Sequence, residues 1–174
     1  MFHINDFVYY GSGGICQVDD ICTEPFEGAP VGVEYYVLHT ISEPRQTIWN
    51  PVQNDRVLMR AVMTRDEIAD LLDALPTLEI FSAPNAKLLR ELYIAAIKSG
   101  LPCEWARVLR TYRERCRLAL IGQARVTDAE HNFFDAAKKC LAAELSLVLG
   151  INEQQAEAQV LAADEEAAAV LAEK

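Results

Sequence analysis

Apolar and polar positions repeat with a period near two along the first third of the chain and near 3.6 along the rest. Asp6-Phe7-Val8-Tyr9-Tyr10 is β-branched and aromatic and stops at Gly11-Ser12-Gly13-Gly14. Ile15-Cys16-Gln17-Val18-Asp19-Asp20-Ile21 interleaves apolar with polar side chains, and Thr23 to Gly32, with two prolines and two glycines, reads as a loop. Val33 to Thr40, Thr47 to Trp49 and Val57 to Met63 add three further runs of strand character. Short strands at about ten-residue spacing predict a small antiparallel barrel or sheet.

The period changes at Thr64-Arg65-Asp66-Glu67, a capping box in which hydroxyl and carboxylate satisfy backbone donors at a helix start. Ile68, Leu71, Leu72 and Leu75 follow at helical spacing, and Pro76 limits that helix. A second helix is predicted from Pro84 or Asn85 to Ser99, with Gly100 just past its end. A third begins near Pro102, with Val108, Leu109, Tyr112, Cys116 and Ala119 on one face. Thr127-Asp128-Ala129-Glu130 opens a fourth that runs to Gly150, and Asn152 with Gln155 opens an alanine-rich fifth. The pattern therefore predicts an α+β chain: a β-rich module over residues 1–64, then an all-α helical module over residues 65–174.

Composition narrows the class. At 51% hydrophobic and 24% charged the chain has globular composition and is too apolar for a disordered one. It contains no uncharged apolar run of the roughly 18 residues that a membrane span needs. MFHINDFVYY has no basic stretch followed by an apolar one, so no secretory signal is expected and a cytoplasmic location is. Five cysteines, Cys16, Cys22, Cys103, Cys116 and Cys140, form no CxxC pair; reduced thiols, mostly in the core, are expected.

Charge changes the picture more. The net −10 argues against nucleic acid, but it is uneven. Residues 1–64 hold three basic and eight acidic side chains, residues 65–125 ten and eight, and residues 126–174 three and ten. Between Trp105 and Arg125, Arg107, Arg110, Arg113, Arg115, Arg117 and Arg125 face Glu114 alone. On a helix, Arg107, Arg110, Arg113 and Arg117 make a basic stripe. Two readings stay open: a solvated face paired with acidic helices, or a surface for phosphate, which guanidinium forks bind without reading sequence. Catalytic seeds are weak. His3, His39 and His131 have no partner at metal-ligand spacing, so no metal or cofactor is expected. The glycine cluster at 11–14 feeds a strand rather than a helix N-terminus, so it reads as a turn and not a phosphate cradle. Asp128, Glu130 and Asp135 sit at a helix start, where carboxylates complement the dipole. No enzyme is expected.

Taken in order, these elements resemble the CarD family of bacterial transcription regulators, also called CdnL. Met1-Phe2, Asp6-Phe7-Val8-Tyr9-Tyr10, Gly14-Ile15, Val18 and Ile21 resemble its opening strands. Tyr35-Tyr36-Val37-Leu38 and Thr47-Ile48-Trp49-Asn50-Pro51-Val52-Gln53-Asn54 resemble its middle strands. Arg60 with Thr64-Arg65-Asp66-Glu67 resembles its hand-over to helix, and Lys98-Ser99-Gly100 with Glu144-Leu145-Ser146-Leu147-Val148-Leu149-Gly150-Ile151 its C-terminal helices. The resemblance implies a Tudor/SH3-like β module that docks on the β subunit of RNA polymerase. It also implies a helical module that contacts promoter DNA and stabilises the open complex. On this chain the polymerase contact falls on Thr47, Ile48, Trp49 and Pro51. Trp49 is either an interface anchor or a lid over a small core. The DNA contact falls on Lys87, Arg90, Arg107, Arg110, Arg113 and Arg117. Ala86 stands where characterised members carry a tryptophan wedge, and alanine cannot unstack a base step. The alternative function is an interaction module of the same fold that has lost DNA binding. An open β edge can also pair with a second copy, so a homodimer belongs with the expected partners.

Overall fold

A computed structural model describes the backbone of residues 1–23, 26–43, 45–54 and 56–172, with side chains for all of these except 12 and 164–172. The acidic tail from Asp164 to Glu173 thus lies outside the described side chains. Two compact units divide the chain, Met1–Val62 and Met63–Lys174.

Among the described residues the first unit is one antiparallel sheet of β1 (Phe7–Tyr10), β2 (Gly14–Thr23), β3 (Glu34–Thr40), β4 (Thr47–Pro51) and β5 (Met59–Ala61), ordered β4-β3-β2-β1-β5. Alternation along each strand sends Val8, Cys16, Val18, Tyr36 and Leu38 to one face, where Phe2, Tyr10, Ile21, Ile48, Val52 and Met59 close over them. The glycine cluster is a single 3-10 turn over Gly11–Gly13 between β1 and β2, so it is a turn as its sequence context indicated. Gly11 is required there: its φ is +27°, and a Cβ would come within 2.7 Å of Val57 Cγ1. The register of β2 against β3 slips between Val18 and Asp20, a bulge. It leaves Asp19 aimed at His39, with Nδ1 to Oδ1 at 2.6 Å.

The second unit is helical: α1 (Arg65–Ala74), α2 (Ala86–Ser99), α3 (Pro102–Leu120), α4 (Asp128–Leu149) and α5 (Glu153–Ala172). Both capping boxes read from sequence are made, by Thr64 with Glu67 and by Thr127 with Glu130. Gly100 and Gly150 close α2 and α4 in the left-handed conformation. Trp105 is fully buried, and its indole N–H donates to the Ile97 carbonyl at 3.3 Å. Val108, Leu109, Leu141, Leu145 and Val160 are also fully buried in this unit, each burial worth about 1.5–3 kcal/mol. Glu144 is also fully buried, and its Oε1 accepts the Met63 N–H at 2.6 Å, tying the start of the unit to the middle of α4.

The cysteines correct an expectation: only Cys16 is buried, Cys103 is exposed, and the other three are half-buried. A small apolar side chain suits a core, but the helical faces here fill theirs with Leu, Ala and Trp. Burial pushes the Cys16 thiol up to about 11. The unfolded chain, with its ordinary thiol, releases this proton first. The stability that the protonated thiol confers is therefore present below pH about 9 and lost as pH rises toward about 11. Urea titrations of wild type and Cys16→Ala across that window should give the wild type the steeper loss. At neutral pH a thiol reagent should modify Cys103 in the native protein and reach Cys16 only on unfolding.

Candidate functional site

Each unit presents one surface that the sequence singled out. In the first it is the open side of β4, which ends the sheet. Against β3 its register pairs His39 with Thr47, Leu38 with Ile48, Val37 with Trp49, Tyr36 with Asn50 and Tyr35 with Pro51. The Val52 N–H donates to the Glu34 carbonyl at 2.9 Å. Antiparallel pairs alternate between bonded and non-bonded, so Asn50 and Ile48 also spend their backbone groups on β3. Thr47 and Trp49 then turn theirs outward. Proline has no N–H, and its carbonyl accepts from the Asn54 N–H at 3.0 Å and from Asn50 Nδ2 at 3.2 Å, so the open edge offers donors and acceptors at Thr47 and Trp49 and none at Pro51.

Side chains follow the same parity. Ile48 packs on the inner core and Asn50 is buried, while Trp49 stands on the opposite face, 44% exposed. Its ring lies 5.8 Å from that of Phe26, and Phe26 lies 5.9 Å from the ring of buried Tyr35. Phe26 comes from the segment read only as a loop. An aromatic between Pro25 and Glu27 was the signal available for it.

In the second unit the expected DNA residues separate into two groups. Lys87 and Arg90 are exposed in the first turn of α2, three residues apart. Beside them Ala86 is exposed, and the Asn85 side chain accepts the Leu88 N–H at 2.9 Å. The arginines of α3 are largely spent inside the unit. Arg107 donates to Glu104 at 2.9 Å and to the Glu79 carbonyl at 3.0 Å, and its guanidinium lies 4.2 Å from the Phe81 ring centroid. Arg115 pairs with Glu130 and donates to the Arg125 carbonyl at 2.8 Å. Arg117 pairs with Glu114 at 2.6 Å, and that hydrogen-bonded cation holds the Glu114 carboxyl below the usual range. Arg110 buries its Nε with no hydrogen-bond partner among the described residues, and Arg113 is half-buried and engaged. Helical spacing does place these side chains on one stripe. The tertiary fold brings carboxylates to it.

The acidic helix start also does more than offset a dipole. Glu130 is the capping-box carboxylate of α4 and, nearly buried, the partner of Arg115 on α3. Asp135, a turn further on, pairs with His131 Nε2 at 3.3 Å and with Lys138 at 3.5 Å, while His131 Nδ1 meets the Tyr112 hydroxyl at 2.9 Å. Burial, then hydrogen bonding to Cys116, pushes that phenol up to about 12. The Glu104–Arg107 and Glu114–Arg117 spacings were legible as i,i+3 pairs. Glu130, fifteen residues from Arg115, was not.

Compared with known proteins, residues 90–161, from α2 into α5, match the family described as CarD, C-terminal domain. No curated protein matches the chain.

The pairing makes a stability prediction. Arg115→Met strands the Glu130 carboxylate and should cost the helical unit at least about 2 kcal/mol in urea unfolding. Arg117→Ala, which breaks an exposed pair, should leave the urea midpoint close to that of wild type.

Proposed function

We propose that the protein, whose residues 90–161 match the CarD C-terminal domain, is a CarD/CdnL-type transcription regulator that acts by binding RNA polymerase. Its β unit docks on the polymerase β subunit through the strand that holds Thr47, Ile48, Trp49 and Pro51, and the complex modulates initiation at the open-complex stage. Thr47 and Trp49 give the outward backbone groups, and Ile48 anchors the strand to the core. The observation that supports this reading is β4 itself, a sheet edge with outward backbone groups and a half-exposed tryptophan beside them. Backbone pairing supplies affinity to such an edge, and the side chains supply selectivity.

Promoter DNA is the second, weaker partner, contacted without sequence preference. Lys87 and Arg90, exposed at the start of α2, are the cations best disposed to reach phosphate. The stripe of Arg107, Arg110, Arg113 and Arg117 contributes less, because Arg107 and Arg117 are held by Glu104 and Glu114. The same pairing supports a second reading, an interaction module that docks on polymerase and has lost DNA contact. Open-complex stabilisation then comes from polymerase contact alone.

Binding of the purified chain to the isolated polymerase β-subunit lobe tests the first claim. Trp49→Ala should weaken it by at least about 2 kcal/mol, the cost of losing a buried aromatic anchor. A wild type that does not bind the lobe would overturn the docking assignment. For DNA, the double variant Lys87→Ala/Arg90→Ala should lower the slope of log affinity against log salt by about 2. A flat salt dependence in the wild type favours the interaction module.

A further inference from the structure

The parity of β4 constrains what can dock on it, and the chemistry beside Trp49 constrains it further. This rests on the docking reading above and specifies the docking partner. An incoming strand finds a complete donor–acceptor pair at Thr47 and at Trp49 and then meets Pro51, which has no N–H to give. Pairing is thus limited to two residues of β4, Thr47 and Trp49. In a hydrogen-bonded antiparallel pair, the residue opposite Trp49 points its side chain to the same face as the indole, about 5.5 Å away between α-carbons.

That face is already shaped. Phe26 stands 5.8 Å from Trp49, at an interplanar angle of 57°, and both rings are nearly half-exposed. The two tilted rings, with Phe26 also edge-on to Tyr35, present a partly exposed aromatic patch beside the edge. In the same row of the sheet, Asp20 pairs with Val37, which pairs with Trp49. Glu27 follows Phe26, and both Glu27 and Asp20 are exposed. The β segment as a whole holds eight acidic and three basic side chains over residues 1–64. Aromatic faces in an acidic setting favour a cation on an apolar stem.

We propose that the docking strand presents an arginine or lysine directly opposite Trp49, with its stem on the Phe26–Trp49 pair and its charge toward the acids of the sheet face. Phe26 becomes a selectivity residue of the interface, and Trp49 reads charge as well as filling space. An aliphatic residue at that position would gain the packing but not the attraction. A carboxylate would be repelled.

Two experiments on the full chain separate this inference from the docking reading. In the first, amide and indole resonances are followed while short extended peptides of alternating Thr and Val are added, each with a single central Arg, Leu or Glu. The Arg peptide should shift Thr47 and Trp49 at about tenfold lower concentration than the Leu or Glu peptide, and Phe26→Ala should remove about threefold of that preference. An equal response to Leu, or no response to any peptide, overturns the proposal. In the second, Trp49→Glu and Trp49→Lys are titrated against the isolated polymerase β-subunit lobe. Facing a cation, the Glu variant should bind at least about tenfold tighter than the Lys variant. Equal loss in both, with the wild type bound, overturns the cation and leaves docking intact. If the lobe does not bind the wild type while the Arg peptide does, the edge chemistry stands and the polymerase assignment falls.

Discussion

A carboxylate taken out of water must be met by donors, and among the described residues the helical unit buries two. Glu144 is answered by the Met63 N–H, and Glu130 by Arg115 together with the backbone and hydroxyl of Thr127. An uncompensated buried charge costs several kcal/mol, so these partners cannot be given up cheaply. The second pairing joins the N-terminus of α4 to the middle of α3 and thereby sets the spacing of the two helices. It also commits an arginine of the one basic stretch in an acidic protein. Electrostatic function has to be built from the cations that remain, and those at the start of α2 are the best placed.

A comparable economy governs the β unit. Backbone groups at a sheet edge are either paired or exposed, and proline at the end of β4 removes one donor from the exposed set. The edge that is left is short. Short edges resist indiscriminate pairing while still admitting a chosen strand. Trp49, turned away from the inner core by strand alternation, is available beside that edge because Ile48 and Asn50 on either side take the inward positions.

The two units thus divide their work along different physical lines. In the first, the open edge is set by hydrogen-bonding parity and flanked by an aromatic pair, both local to a few residues. In the second, structure competes with function for the same side chains. Arg107 illustrates this: one guanidinium holds Glu104, the Glu79 carbonyl and the face of Phe81, and so braces the segment between α1 and α2 against α3.

Much of this was legible in the residues. Period two and period 3.6 marked the strands and helices, the two Thr-x-x-Glu boxes marked helix starts, and Gly100 and Gly150 marked ends, because all of these depend on neighbours within about four positions. Trp105 was legible as core from its spacing with Leu109 and Tyr112. What lay beyond local pattern was the destination of each charge and thiol. Nothing adjacent to Arg115 announces Glu130, nothing in a loop announces that Phe26 lands on Trp49, and helical spacing alone does not say that Cys116 stays half-exposed. The elements, their order and the apolar face of each follow from the residues alone, since short-range geometry sets them. Only the tertiary structure decided which cations are consumed, which edge stays open and which backbone groups face outward, because each depends on what residues distant in the chain bring into contact.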